Sequence, residues 1–161
     1  MKYKKLLLST VISLFIFTGN SFTAGTSSED NVSKYEKLYK KGALLIKQGK
    51  KLEKKDKTEK AKKKYLRAIK YLEQSNQIEP GKPDTLNYLG FALRKTGNFE
   101  DAEKFYLEGL KMDPKHVGIN EYLGELYIST NRLDKAKERL KILETCNCEE
   151  YSELKNLINQ N

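Results

Sequence analysis

A spacing of 34 residues constrains this chain more tightly than its composition does. Between Pro83 and His116 the sequence reads Leu86-x2-Leu89-Gly90-x2-Leu93, then Ala102-x3-Tyr106, then Pro114. One period later the frame recurs as Asn120-x2-Leu123-Gly124-x2-Tyr127 and Ala136-x3-Leu140. A fixed period of this size marks a small unit that cannot bury its own apolar face and stacks on copies of itself. The chain must therefore fold as an array, and the residues within one period must show how a unit is built.

The best-patterned unit predicts two helices. Gly81-Lys82-Pro83 breaks whatever precedes it, and Pro83 suits a first helical turn, where its missing N–H is not needed. Leu86, Leu89 and Leu93 form the apolar stripe of a first helix, and Phe99, Phe105, Tyr106 and Leu110 that of a second. Thr96-Gly97-Asn98 is the turn between them. Gly90 lies inside the first helix, where glycine costs about 1 kcal/mol relative to alanine. Close approach of the second helix would recover that cost, and Ala102 is the expected small partner. The next unit repeats the plan around a turn at Ser129–Arg132. A last segment, Glu149–Ile158, puts Tyr151, Leu154 and Ile158 on one face and three acids in its first turns, which suits a capping helix.

The frame in 83–116, repeated at 117–148, resembles the tetratricopeptide repeat (TPR). A looser copy, Leu38-x2-Lys41-Gly42-x2-Leu45 with Ala68-x3-Leu72 and Pro80, extends the resemblance to residues 35–161. It implies an all-α fold, a right-handed superhelix of antiparallel helix pairs. The expected organisation is a signal peptide at 1–24, a disordered linker at 25–32 and a TPR domain at 33–161. Within the domain, repeat 1 covers about 33–80, repeat 2 83–116, repeat 3 117–148 and a cap helix 149–159. In such proteins the first helices line a concave groove that holds peptides. By that resemblance the groove would present Tyr39, Ala43 and Ile46, then Asn87, Phe91, Arg94 and Lys95, then Glu121, Glu125 and Ile128. The familiar clamp for a C-terminal carboxylate uses Lys, Asn and Arg across adjacent repeats. Here only Asn87 and Arg94 look like members, and Glu121 and Glu125 would repel a carboxylate. The expectation is a mixed groove with opposed charges at its ends, or else a face that is only solvated.

The first unit departs from the ruler. Gly90 to Ala102 and Gly124 to Ala136 are both 12 residues, whereas Gly42 to Ala68 is 26. Divided between two antiparallel helices, the excess of 14 is seven residues each, about two turns at 3.6 residues per turn. Whole turns keep both apolar faces in register, so longer helices are expected rather than a loop. The tip, Lys50–Lys64, holds nine lysines and three acids. Glu53–Lys57, Asp56–Lys60 and Glu59–Lys63 have the acid-before-base spacing that supports exposed helix. Lys54, Lys55, Lys60, Lys62, Lys63 and Lys64 are candidates for contact with an anionic lipid or polymer surface, or form a solubilising face. The tip has no aromatic residue to stack on bases, so nucleic acid is not expected, and no bulky apolar face to insert into a bilayer.

Three lysines in Met1–Lys5, an apolar run over Leu6–Phe17 and a small, polar Thr18–Gly25 have the order of a secretory leader. The run of 12 is short against the roughly 20 residues that span a bilayer. A periplasmic or secreted bacterial protein is expected, with cleavage between Ser21 and Gly25. The formal charge of +9 is unevenly placed. Residues 31–70 carry a net +12 and residues 71–161 a net −4. Export permits a disulfide between Cys146 and Cys148, though cysteines two apart need a sharp turn to close one. Intermolecular or free thiols, and thiol-redox or metal chemistry, are the alternatives. The only histidine, His116, has no nucleophile beside it in the repeat, and no phosphate-binding glycine loop, HExxH or paired-carboxylate motif stands out. The expected function is thus non-catalytic and cofactor-free: binding an unidentified protein or peptide, with membrane-surface contact through the basic tip as the alternative.

Overall fold

Each glycine–alanine frame becomes a helix pair. The computed structural model describes residues 26–161, and the signal peptide expected over 1–24 lies outside them. Seven helices follow in order: α1 (Thr26–Glu53), α2 (Thr58–Ile78), α3 (Pro83–Thr96), α4 (Phe99–Met112), α5 (Val117–Ser129), α6 (Leu133–Leu143) and α7 (Glu149–Asn159). No strand occurs among the described residues. Consecutive helices pack as hairpins, while α1, α3 and α5 touch in series and α7 closes on α5 and α6. The fold is an all-α solenoid of the TPR kind.

The punctuation works as the residue types dictate. Pro83 occupies the first turn of α3, and Gly97 ends that helix at a φ of 92°, a left-handed conformation that glycine adopts without steric cost. The Asn98 side chain accepts the Asp101 N–H to start α4, and His116 Nδ1 accepts the Ile119 N–H to start α5.

Four expectations are corrected. The linker expected over 25–32 is helical from Thr26. No proline or glycine occurs between Thr26 and Lys41, and Glu29 in the first turn complements the positive helix end. The partner of Gly90 is not Ala102 but Tyr106, one turn further along α4, whose ring a Cβ at position 90 would overlap. The extra 14 residues divide unequally. Seven lengthen α2 (21 residues against 14 in α4), five lengthen α1 beyond its glycine, and two enter the turn at Lys54–Lys57. There Asp56 takes a left-handed φ of 55° to reverse the chain. That reversal interrupts the spacing of Glu53–Lys57 and Asp56–Lys60, and Glu59–Lys63, though within α2, is not closed either. Glu53 reaches Lys95 of α3 instead, at 2.9 Å.

The added turns also repeat a packing layer. Gly42 of α1 lies under Leu72 of α2, and seven residues outward Gly49 lies under the ring of Tyr65. The small residues recur in step: Ala68 and Ala61 are 0% and 1% exposed. The elongation is thus a second copy of the glycine–large-residue contact. It carries a solid hairpin past the end of its neighbours, and Tyr65 meets Phe91 of α3 edge-on at 5.6 Å.

Candidate functional site: a charge-divided groove

The concave side of α1, α3 and α5, closed at one end by α7, encloses a groove of about 790 Å³. The α1 wall contributes Ala43, Ile46 and a basic row of Lys47, Lys50 and Lys51, continued by Lys54 of the following turn. The α3 floor contributes Asn87, Tyr88, Phe91, Arg94 and Lys95. The far wall is Gly118, Glu121, Tyr122 and Glu125 of α5 with Glu150 and Glu153 of α7. One side is therefore cationic and the other anionic, with aromatic rings between.

Of the groove residues read from the sequence, Ala43, Ile46, Asn87, Phe91, Arg94, Lys95, Glu121 and Glu125 line this one cavity. Two do not. Tyr39 is stacked between Tyr35 and Tyr88, its ring 6.2 Å and 5.9 Å from theirs. Ile128, near the end of α5, packs against the core shared with Leu126 and Tyr127.

The centre of the groove is an aromatic pair that attracts cations. The Phe91 and Tyr122 rings lie 4.9 Å apart. Lys50 Nζ sits 4.9 Å and 5.0 Å from their centroids and donates to Tyr122 Oη at 2.7 Å. The elongation of α1 makes that reach possible. The Arg94 guanidinium stands 5.6 Å and 5.7 Å from the same rings and pairs with Glu125 at 2.8 Å. Burial, then the charges of Glu121 and Glu125, hold the Tyr122 hydroxyl above its ordinary range, so it stays a neutral donor–acceptor.

The two walls differ in how their charges are closed. Arg94–Glu125 and Lys95–Glu53 are ion pairs, the first of them buried. Glu121, Glu150 and Glu153 have no cation within ion-pair distance among the described residues. Glu121 is 2% exposed. Its carboxyl is pushed up to about 9, first by burial, then by hydrogen bonding to Glu153 and by the charges of Glu125, Glu153 and Glu150. At neutral pH it keeps its proton.

Sequence reasoning missed several contributors, among them Lys50, Tyr88, Tyr122, Glu150 and Glu153. Tyr88 and Tyr122 occupy equivalent places one period apart, and that recurrence of an aromatic was the available signal. Glu150 and Glu153 were read only as acids at a helix start, because the direction in which α7 folds back is a tertiary fact.

The remaining candidates lie elsewhere. Lys55, Lys60, Lys62 and Lys63 are exposed and Lys64 half-buried along the tip, while Lys54 reaches the rim of the groove. Cys146 and Cys148 form a disulfide with a Cα–Cα separation of 5.2 Å. Asn147 between them, at a φ of 49°, supplies the turn into α7. His116 is tied through both ring nitrogens, with Nδ1 on Ile119 N–H and Nε2 3.1 Å from Asp84 Oδ1. Among the described residues no helix is long and apolar enough to cross a membrane.

Comparison with known proteins agrees with this architecture. Residues 83–116 match the model of the tetratricopeptide repeat, the same stretch that sets the 34-residue period. The chain is 22% identical over 131 residues to the TPR repeat-containing thioredoxin TTL4 of Arabidopsis thaliana, covering 81% of this chain and 17% of that protein. Among solved structures it is similar to the type III secretion chaperone SycD of Yersinia enterocolitica in complex with a peptide of the translocator YopD. There the TM-score is 0.61 at 19% identity, over 80% of this chain and 88% of that one. It is also similar to the second TPR domain of human RPAP3 in complex with an HSP70 peptide. That match has a TM-score of 0.55 at 16% identity, over 77% and 99% of the two chains.

Proposed function

We propose that the protein is a non-catalytic interaction module that binds a peptide or protein segment in the groove between α1, α3, α5 and α7. The observation that carries this reading is the groove itself: an elongated cavity with an aromatic centre and charged flanks, able to fix both position and direction of an extended segment. Peptide complexes of SycD and RPAP3, which share the fold, support it. The carboxylate clamp has no place here, because Arg94 is already engaged by Glu125. The leader-like residues 1–24 and the Cys146–Cys148 disulfide support a working place in the bacterial envelope, periplasmic or secreted. A displayed library of random dodecapeptides panned against the full chain tests the reading. Related sequences should be enriched, and their binding should weaken about tenfold or more in Tyr122→Ala, in line with loss of an interface aromatic. Enrichment of nothing, or of peptides indifferent to Tyr122→Ala, overturns it.

A second reading rests on the exposed, unpaired tip lysines: contact with an anionic lipid or polymer surface. Vesicles rich in phosphatidylglycerol should then bind the full chain at low salt and release it as screening shortens the field. Replacing Lys60, Lys62, Lys63 and Lys64 with glutamine should abolish that binding. Binding indifferent to salt or to the substitutions removes this reading.

A further inference from the structure

The far end of the groove gathers four carboxyl groups around a single paired cation, Arg94. Glu121 and Glu125 lie one turn apart on α5, and Glu150 and Glu153 face them from α7. Arg94 satisfies Glu125 alone. The second observation is independent of these carboxylates. Asn87 of α3 lines the same groove, is 8% exposed, and its Oδ1 has no hydrogen-bond partner. Its amide nitrogen lies against Gly118, where a Cβ would come within 2.7 Å of Nδ2, so the glycine makes room for the asparagine. A buried acceptor left unmade costs about 1–3 kcal/mol, a cost that a bound donor can recover.

Apart from the Nε–H of Arg94, the groups left without a partner at this end accept hydrogen bonds or carry negative charge. A carboxylate, a phosphate or an apolar side chain would leave them so; a cationic N–H donor would not. The aromatic floor beside it already holds Lys50 and Arg94 at cation–π distance, so the route into the cluster tolerates a charged, long-stemmed side chain. We propose that the cap end of the groove, between Glu121, Glu150, Glu153 and the buried, unpartnered acceptor of Asn87, receives an arginine or lysine side chain of the bound segment. This rests on the groove being a peptide site. It also gives the bound segment a direction, with its basic residue toward α7 and any acidic residues toward the lysine row of α1.

Arrival of the cation has a signature that a generic surface contact lacks. The groups facing Glu121 are Glu125, Glu150, Glu153, Arg94 and Tyr122, and it keeps its proton while no cation is present. A bound guanidinium or ammonium favours the charged carboxylate, so binding at pH 7.5 should release up to one proton.

The test uses the peptides enriched from the dodecapeptide library. An arginine or lysine is expected at a fixed distance from an apolar anchor. Replacing it with glutamine should weaken binding about tenfold, and calorimetry in two buffers of different ionisation enthalpy should show the proton leaving. In Glu121→Gln and Glu153→Gln the preference for a basic residue should disappear while the apolar anchor still binds. Enriched peptides without a basic residue, or a glutamine replacement without effect, overturn this inference and leave the groove reading standing. A library that enriches nothing removes both. Self-association of the full chain that is abolished by neutralising Lys60, Lys62, Lys63 and Lys64 would mean that a second copy's tip fills the cluster, and would also overturn it.

Discussion

At the α1–α2 end of the solenoid, each helix-interior glycine is filled from within its own hairpin, Gly42 by Leu72 and Gly49 by Tyr65. At the other end Gly124 is filled by Leu154, which arrives from α7 and not from α6. The first hairpin therefore completes its packing locally, whereas the third depends on a helix beyond its own repeat. Charge follows the same division. The α1 wall sends Glu53 and Lys50 across to α3 and α5, where they find Lys95 and the Phe91–Tyr122 pair. The α5–α7 wall keeps carboxylates that face one another. A terminal repeat can thus be finished by lengthening its own helices or by borrowing a cap, and the borrowed cap adds Glu150 and Glu153 to the acids already in the groove.

The largest effects should come from emptying these two layers. Tyr65→Ala removes a side chain 1% exposed from the duplicated layer and from its edge contact with Phe91, for an expected loss of about 4 kcal/mol. Leu154→Ala removes the fully buried filler of Gly124, for about 3 kcal/mol. Urea denaturation gives the totals, and amide hydrogen exchange separates the ends. Protection should fall first in α1 and α2 for Tyr65→Ala, and first in α5 and α6 for Leu154→Ala. If both variants lose protection uniformly, the two ends are not independently packed and the contrast fails.

The repeat frame made the fold legible because glycine, alanine and the leucine stripe act locally, within one hairpin. The Gly90–Tyr106 contact was within reach of the same logic, but side chains on a helix lean toward the preceding turn. The residue that covers a glycine is therefore not the small one directly across from it. The second layer was legible too: Gly49 and Tyr65 stand seven residues from Gly42 and Leu72. The groove was only half legible. Asn87, Phe91, Arg94, Lys95, Glu121 and Glu125 follow from the face of one helix, whereas Lys50 over Tyr122 and the acids of α7 depend on how separate elements are placed. Tyr39 holds the same frame position as Asn87, three residues before the glycine, but its ring is taken up between Tyr35 and Tyr88 instead of lining the groove.

The smallest of these effects tests the charge side of the comparison. In the unfolded chain Glu121 loses its proton near the ordinary value of 4.5, while in the fold it holds the proton to about 9. Between those values the folded state binds one proton more, so stability is fully present below pH 4.5 and falls as pH rises, by about 1.4 kcal/mol per unit at most. Glu121→Gln keeps the shape of the protonated acid and cannot ionise. It should leave stability at pH 4 unchanged, raise it at pH 8 by about 2 kcal/mol against a ceiling of about 5 kcal/mol set by the full shift, and flatten the slope between. Lys50→Gln, on the opposite wall, should not alter that slope. Urea midpoints at the two pH values measure both variants. A wild-type slope that persists in Glu121→Gln would show that Glu121 does not hold the excess proton, and the contrast between the two walls would fail on its charge side.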